Sequence, residues 1–170
     1  MNENIGDRAE YQIRDEMEGD AGQLVELFVQ LGYPASQEEL SSRLTALRGS
    51  EDYAVRVAEQ DGKLIGMIAF HRERALLQPT CEVRVMALVV AEQERGSGIG
   101  SRLLVEAEEW AREQNASYMR LNSGIREERS KAHVFYMSHD YNSGSIGFSK
   151  KLLTDHEQQS ANKNNSSKSE

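Results

Sequence analysis

The sequence predicts a mixed α/β (α+β) protein in which a single mixed central sheet is flanked by helices. Two windows with helical spacing of apolar residues come first. An Asp61-Gly62 turn between two apolar runs then predicts an antiparallel hairpin. Between residues 81 and 121, an apolar run, a glycine-rich turn, a helical window and a further apolar run predict a parallel pair with a crossover helix. The expected order is β-α-α-β-β-β-α-β-α-β.

The first third of the chain predicts a strand over 11–14 and two helices. The helical windows contain Leu24, Leu27, Phe28 and Leu31, then Leu40, Leu44 and Leu47. Asp20 is a candidate N-cap of the first helix. Gly32 and Pro34 predict its end, because glycine terminates helices and proline cannot continue them. Ser36 and Glu39 have the spacing of a capping box for the second helix.

The rest of the chain predicts the remaining elements of the sheet. Strands are expected over 53–58, 64–70, 81–90 and 117–121. A helix between the last two carries its apolar face on Leu103, Leu104, Ala107, Trp110 and Ala111. A short helix is expected over about 128–138, and residues 145–153 are expected to supply a last strand or hairpin arm.

Length and composition indicate one domain over residues 1–154 with a polar, disordered tail over 155–170. Cys81 is the single cysteine of the sequence, which excludes an internal disulfide and fits a reducing compartment. The chain lacks an apolar stretch of about 18 residues, and its first twenty residues are polar and acidic. We therefore expect a cytoplasmic protein without a membrane partner.

The formal net charge of −8 argues against a nucleic-acid partner, which would require clustered lysine and arginine. A negative field is compatible with attraction of a cationic amine. Charge that merely keeps the protein soluble explains the same value equally well.

The most informative stretch is the glycine-rich turn Arg95-Gly96-Ser97-Gly98-Ile99-Gly100, which leads into Ser101. Alternate glycines let backbone N–H groups approach a ligand, and a helix N-terminus adds positive dipole. Together these features predict an anion site, most naturally for a phosphate or pyrophosphate. The turn is not a Walker A loop, because the lysine that follows the last glycine of that motif is missing here. It is not a dinucleotide fingerprint either, because the glycine spacing differs and no acidic residue follows about 20 positions on.

The pattern Arg95-x-x-Gly98-x-Gly100 resembles the acyl-coenzyme-A loop of the GNAT superfamily of N-acetyltransferases. The predicted order of elements is that of the GNAT fold from about residue 11 to 153. A second segment, Ala132-His133-Val134-Phe135-Tyr136, resembles the Ala-His-x-Phe-Tyr segment of many bacterial members, including relatives of aminoglycoside acetyltransferases, and Arg129 fits the same subgroup.

The resemblance implies transfer of an acetyl group from acetyl-CoA to a primary amine of a small molecule or a protein. In this family the strand before the glycine loop splays from the next strand and exposes backbone groups to pantetheine, while the loop N–H groups hold the pyrophosphate. The cofactor-binding residues implied are Leu88, Val89, Val90, Arg95, Gly96, Ser97, Gly98, Ile99, Gly100, Ser101 and Asn122.

The same resemblance implies two catalytic residues and no metal. Tyr136 is expected to protonate the departing thiolate, and Glu82 is the first candidate for the base that accepts the amine proton, directly or through water. Glu73 and His71 are weaker candidates for the base. His133 is expected to be structural, and Cys81 to be a packed apolar residue, because the family uses direct transfer and the sequence has no evident Cys/His/Asp set.

Two other function classes stay open at this point, a non-catalytic acyl-CoA-binding or sensing domain and a protein adaptor. Homodimers are common in the family, so a homodimer is one expected assembly. The sequence departs from the family after the Phe-Tyr pair, where Asp140 stands in place of the usual glycine. Aspartate tolerates a left-handed turn less readily than glycine, so the acceptor end of the fold is where a difference is expected.

Overall fold

The structure, a computed structural model, describes residues 10–74, 76–77, 79–124, 130–144 and 146–152. Their elements are β1 Gln12–Asp15, α1 Ala21–Leu31, α2 Gln37–Arg48, β2 Tyr53–Gln60, β3 Lys63–Arg74, β4 Cys81–Val90, α3 Ile99–Glu113, β5 Tyr118–Leu121 and α4 Ser130–Met137. A short 3-10 turn at Glu92–Glu94 precedes the glycine loop. The predicted order is confirmed through α4.

The strands form one mixed sheet in the order β1-β2-β3-β4-β5. Every neighbouring pair is antiparallel except β4 and β5, which are parallel and joined through α3. The hairpin between β2 and β3 turns at Asp61 and Gly62, whose φ angles are 51° and 76°. Positive φ at both central residues is the type I′ geometry that an Asp-Gly pair predicts.

The core lies on both faces of the sheet. Residues 64–70 of β3 are all buried, so neither face of this central strand is open to solvent. Helix α3 covers one face, where Phe70 packs edge-on against Trp110 with ring centroids 5.1 Å apart. A Cβ at Gly66 would lie 3.2 Å from Leu103 Cδ1, so this glycine lets α3 approach the sheet closely. Helices α1 and α2 pack together, and α1 lies against β3 and β4 on the other face.

The two first helices begin differently. The predicted capping box is confirmed, because Ser36 Oγ accepts from the Glu39 N–H at 3.2 Å and the Glu39 carboxylate accepts from the Ser36 N–H at 2.8 Å. Asp20 occupies the N-cap position of α1, but the prediction that its side chain caps the helix is wrong. Its carboxylate instead accepts from Arg14 at 2.7 and 3.0 Å and from the Met17 N–H at 3.0 Å.

The last expected strand is absent from the described part of 145–153. Residues 146–152 adopt no regular structure, and Ile146, Phe148 and Leu152 are exposed. A strand exists only within a ladder, and no described strand pairs with this segment. The chain divides into two compact units, the first ending at Phe135 and the second beginning at Tyr136, and the expected tail over 155–170 lies outside the described residues.

Candidate active site

Strand β4 separates from β5 halfway along its length. Its first half pairs with β5 from Glu82 opposite Tyr118 to Val85 opposite Leu121. Among the described residues, nothing in β5 lies opposite 86–90, whereas β3 continues to pair with β4 as far as Val90. The second half of β4 therefore turns one row of backbone groups toward an opening in the sheet, as the splayed strand of the resemblance implies.

A β-bulge marks the point of separation. Phe70 lies opposite Val85 and Ala69 lies opposite Ala87, so Met86 is an extra residue in β4. Within the described part of the sheet, Met86 has no residue opposite it on either neighbouring strand. Bulges commonly re-aim the chain next to functional sites. Sequence reasoning missed Met86, because residues 81–90 are predicted to form one strand and contain no glycine to indicate an irregularity.

The glycine loop connects the open half of β4 to α3. Gly96 and Gly98 have φ angles of 82° and 89°, a left-handed conformation that glycine adopts without steric cost. Gly98 is the N-cap of α3, and its carbonyl accepts the first intrahelical bond, from the Arg102 N–H at 3.0 Å. The N–H groups in the first turn of a helix have no intrahelical partner and carry the positive dipole end. The loop therefore has the left-handed glycines and the helix N-terminus on which the predicted anion site depends.

The side chains of the loop are engaged with the protein. Arg95 is exposed, and its Nε donates to the Val90 carbonyl at 3.2 Å. Ser97 Oγ donates to the Glu94 carbonyl at 2.5 Å. The Ile99 side chain is buried in the core under α3. An anion at this loop would therefore be held chiefly by main-chain N–H groups, as the alternation of glycines predicts.

Gly100 differs from the other two glycines of the loop. Its φ angle is not positive, so its backbone conformation does not require glycine. A Cβ there would meet the Phe135 ring and Val90 Cγ2 at 3.6 Å, which is ordinary van der Waals contact. Phe135 of α4 thus lies beside two of the predicted cofactor-binding residues.

Glu82 lies near the start of β4, at the end of the β4–β5 pairing that is farther from the opening, and is paired with Arg120 of β5. Arg120 Nη2 donates to one carboxylate oxygen at 2.8 Å, and its Nε donates to the other. Hydrogen bonds from the Arg120 guanidinium, together with its charge, hold the pKa of Glu82 below its ordinary value. The carboxylate is ionised near neutral pH, but an acceptor this acidic is a weak base.

The other predicted residues on this part of the sheet form a polar group around Arg84. Arg84 Nε donates to Glu73 at 3.3 Å, and Arg84 Nη1 lies 3.5 Å from Asn122 Oδ1. His71 stacks on Tyr53 with ring centroids 5.1 Å apart, and its buried Nδ1 has no partner in the described structure. The structure therefore brings Glu82, Glu73, His71 and Asn122 onto neighbouring strands.

The second predicted motif lies on and after α4. His133 Nε2 lies 2.9 Å from the Gly124 carbonyl, within the first unit. Within the second unit, Tyr136 packs against Tyr141 with ring centroids 5.9 Å apart, and the Tyr136 carbonyl accepts from the N–H of His139 and of Tyr141. Asp140 has a φ angle of 63°, which confirms that aspartate adopts the left-handed position. Arg129 lies outside the described residues.

The thiol of Cys81 has a structural hydrogen-bond partner. Cys81 is half-buried, and its thiol donates to the Gln114 carbonyl at 3.3 Å. Among residues that the structure describes, no group of three or more His, Cys, Asp or Glu is arranged to hold a metal ion. No helix in this part of the chain is long and apolar enough to cross a bilayer.

Known proteins are similar to this chain in both sequence and fold. The model of the acetyltransferase (GNAT) family matches residues 21–141. Aminoalkylphosphonate N-acetyltransferase of Salmonella typhimurium (strain LT2) is 36% identical over 97 residues, which are 57% of this chain and 62% of that protein. A GNAT family acetyltransferase of Staphylococcus aureus superposes with a TM-score of 0.72 at 28% identity, over 84% of this chain and 98% of that one.

A third similarity concerns the fold alone. The aminoglycoside antibiotic 6'-N-acetyltransferase of Acinetobacter haemolyticus superposes with a TM-score of 0.69 at 19% identity, over 84% of this chain and 99% of that chain. A mixed five-stranded sheet that opens beside a glycine loop and is covered by helices defines the class, an α/β protein. The chain belongs to the GNAT acetyltransferase family.

Proposed function

We propose that this protein is an N-acetyltransferase that moves an acetyl group from acetyl-CoA to a primary amine of a small molecule or peptide by direct transfer. The observation that carries the proposal is the opening of β4 from β5 immediately before a main-chain anion loop. Family membership supports acetyl transfer. The name of the Salmonella relative, aminoalkylphosphonate N-acetyltransferase, supports a small-molecule amine.

The residues on either side of the opening fit the two ends of acetyl-CoA. An extended pantetheine arm would add to the open half of β4 as a further strand adds to a sheet edge, on the backbone of Leu88, Val89 and Val90. The main-chain N–H groups of 95–101 would hold the pyrophosphate, those of Arg95 and Ser97 by exchanging their bonds to the Glu92 and Glu94 carbonyls, both 3.4 Å long. Asn122 would contribute a polar contact from the end of β5.

The chain's own residues would move two protons. The bound thioester supplies an activated acetyl group; the new C–N bond forms as the C–S bond breaks. The attacking amine must lose one proton, which Glu82 would accept through water, and the departing thiolate must gain one, which Tyr136 would donate. Arg95, which in this structure donates to the Val90 carbonyl, would add positive charge beside the pyrophosphate.

A non-catalytic acyl-CoA-binding or sensing domain is the second candidate. The pairing of Glu82 with Arg120 favours it, because the lowered pKa makes this carboxylate a weak proton acceptor. Such a domain would use the same opening and loop without turnover.

Binding and turnover distinguish the candidates. Calorimetry should detect acetyl-CoA binding, and thiol release should report acetyl transfer across a panel of amines and peptides. Tyr136→Phe should lower kcat about 100-fold, the usual contribution of a general acid, with little change in acetyl-CoA affinity. Binding without turnover on any acceptor would favour the sensing domain, and absence of binding would overturn both candidates.

A further inference from the structure

Two rows of polar and charged side chains cross β3, β4 and β5 on the face of the sheet turned away from α3. Val85 and Phe70 lie opposite each other, and Phe70 faces Trp110 of α3, so Arg84 and its register partners face the other way. Arg84 lies opposite His71 on β3 and opposite Arg120 on β5. These three residues form the basic row.

An acidic row lies beside it. Glu82 is opposite Glu73 on β3 and opposite Tyr118 on β5. Two residues along a strand span about 6–7 Å, so the two rows are one pleat apart. The basic row is the one nearer the opening, because Arg84 directly precedes Val85, the last β4 residue paired with β5.

The charges of the basic row are only partly engaged. Arg84 makes two long contacts, at 3.3 Å to Glu73 and 3.5 Å to Asn122, and its Nη2 has no partner among the described residues. Arg120 uses Nε and Nη2 on Glu82, which leaves its Nη1 without a partner in that same part of the chain. The Glu73–Arg84 pair is exposed and contributes little, so an anionic ligand can replace it at low cost. The Glu82–Arg120 pair is bidentate and its Glu82 side chain is only 15% exposed, so Arg120 would bind a ligand through Nη1.

Like charges on adjacent strands repel each other, so a row of basic residues disfavours the sheet unless an anion compensates it. Glu73 and Glu82 provide part of that compensation from one side. Within the described residues, Nη2 of Arg84 and Nη1 of Arg120 provide further donors along the basic row. Arginine pairs are well suited to phosphonate, phosphate or carboxylate oxygens, which they bind through two parallel hydrogen bonds.

From this arrangement we propose that the acceptor is an amine that also carries an anionic group, and that Arg84 and Arg120 bind that group. The proposal rests on the proposed function, since it places the amine at the opening beside β4. A substrate lying on this face with its amine at the opening would place its anionic group over the basic row. Arg84 would thus determine specificity without taking part in the proton transfers.

Matched acceptors of similar length test the proposal. The probes are 2-aminoethylphosphonate, β-alanine, n-propylamine and the polyamine putrescine, assayed by thiol release with the full chain. The wild type should favour an anionic acceptor over n-propylamine at least tenfold in kcat/KM. Comparison of the first two probes shows whether the tetrahedral phosphonate or the planar carboxylate is the better ligand.

Arg84→Gln should raise KM for the anionic acceptors about 10- to 100-fold, the usual loss when charge-assisted hydrogen bonds are removed. The loss of kcat/KM with n-propylamine, which has no anionic group for Arg84 to bind, should be at least tenfold smaller. Arg84→Lys keeps the charge but loses the planar fork of donors, so its KM for the anionic acceptors should lie between those of the wild type and Arg84→Gln. Arg112→Gln, which removes an exposed arginine paired with Glu108 on α3, is the control and should behave as the wild type.

Preference for putrescine or n-propylamine over both anionic acceptors would overturn the inference while leaving amine acetylation intact. An equal loss with the anionic acceptors and with n-propylamine in Arg84→Gln would show that Arg84 has only a structural role. If Arg84→Gln does not fold, the comparison of Arg84→Lys with the wild type decides the question. Acetyl-CoA binding without transfer to any acceptor would instead overturn the proposed function.

Discussion

Two clusters in this molecule are built from the same types of side chain, arginines and carboxylates, but differ in burial. At the junction of β1 and α1, Arg14 binds both Asp20 and Glu59, and the Asp20 side chain is 7% exposed. On β3, β4 and β5, the pairs Glu73–Arg84 and Glu82–Arg120 lie at the surface, and Arg120 is 43% exposed. Burial decides whether such a pair holds the fold or remains available to a ligand.

The buried cluster is fully committed to the protein. Burial alone would raise the pKa of Asp20, but the hydrogen bonds from Arg14 and from the Met17 N–H outweigh it, and the pKa lies below its ordinary value. Nearby, the Arg48 guanidinium donates to both oxygens of the buried Glu16 carboxylate at 2.9 and 3.0 Å. The two carboxylates tie the segment after β1 to β1 itself and to the end of α2.

The largest difference between the clusters should appear in stability. Asp20→Ala should lower the free energy of unfolding by about 3 kcal/mol, because it leaves the Arg14 charge partly buried with one partner fewer. Glu73→Ala, at the exposed cluster, is the matched control and should change it by less than about 1 kcal/mol. Urea denaturation of both variants measures the effect, and equal losses would contradict the distinction by burial.

A second test concerns activity at the exposed cluster. Glu82→Gln should lower kcat/KM by at most about 100-fold if Glu82 accepts the amine proton. Since the pKa of Glu82 is below its ordinary value, the wild type is already ionised throughout the neutral range. The rise of activity with pH should therefore follow the acceptor amine and keep its midpoint in the variant. A midpoint that moves with this substitution would assign the rise to Glu82.

The smallest effect is the pH dependence of the buried pair. A carboxylate whose folded pKa is depressed adds stability above its unfolded pKa, about 3.9 for aspartate, and loses it as pH falls through the folded value. The difference in free energy of unfolding between the wild type and Asp20→Asn should be constant from about pH 6 to 8, because this range lies well above the pKa of aspartate in the unfolded chain. Below about pH 4 it should shrink. A difference that grew in acid would show that Asp20 is not the stabilising group.

Much of the fold was predictable because its signals are local. The Asp61-Gly62 turn, the Ser36–Glu39 capping box and the glycine loop before α3 are short patterns whose chemistry is complete within a few residues. The Asp20 cap failed for the opposite reason, since Arg14 competes for its carboxylate. The roles of Tyr136 and of the loop as a cofactor site stay predictions.

The sequence by itself determined the strands and helices from β1 to α4 and their order, and it predicts where backbone could approach an anion, but the strand expected over 145–153 does not form in its described part. Only the tertiary structure decided the bulge at Met86, the pairing of Glu82 with Arg120 and the row that Arg84 forms across three strands. The physical reason is the distance along the sequence between the residues that each feature involves. Hydrophobic period and turn chemistry are properties of neighbouring residues, whereas strand register joins residues such as 82 and 120 that are 38 positions apart, and the whole core fixes it.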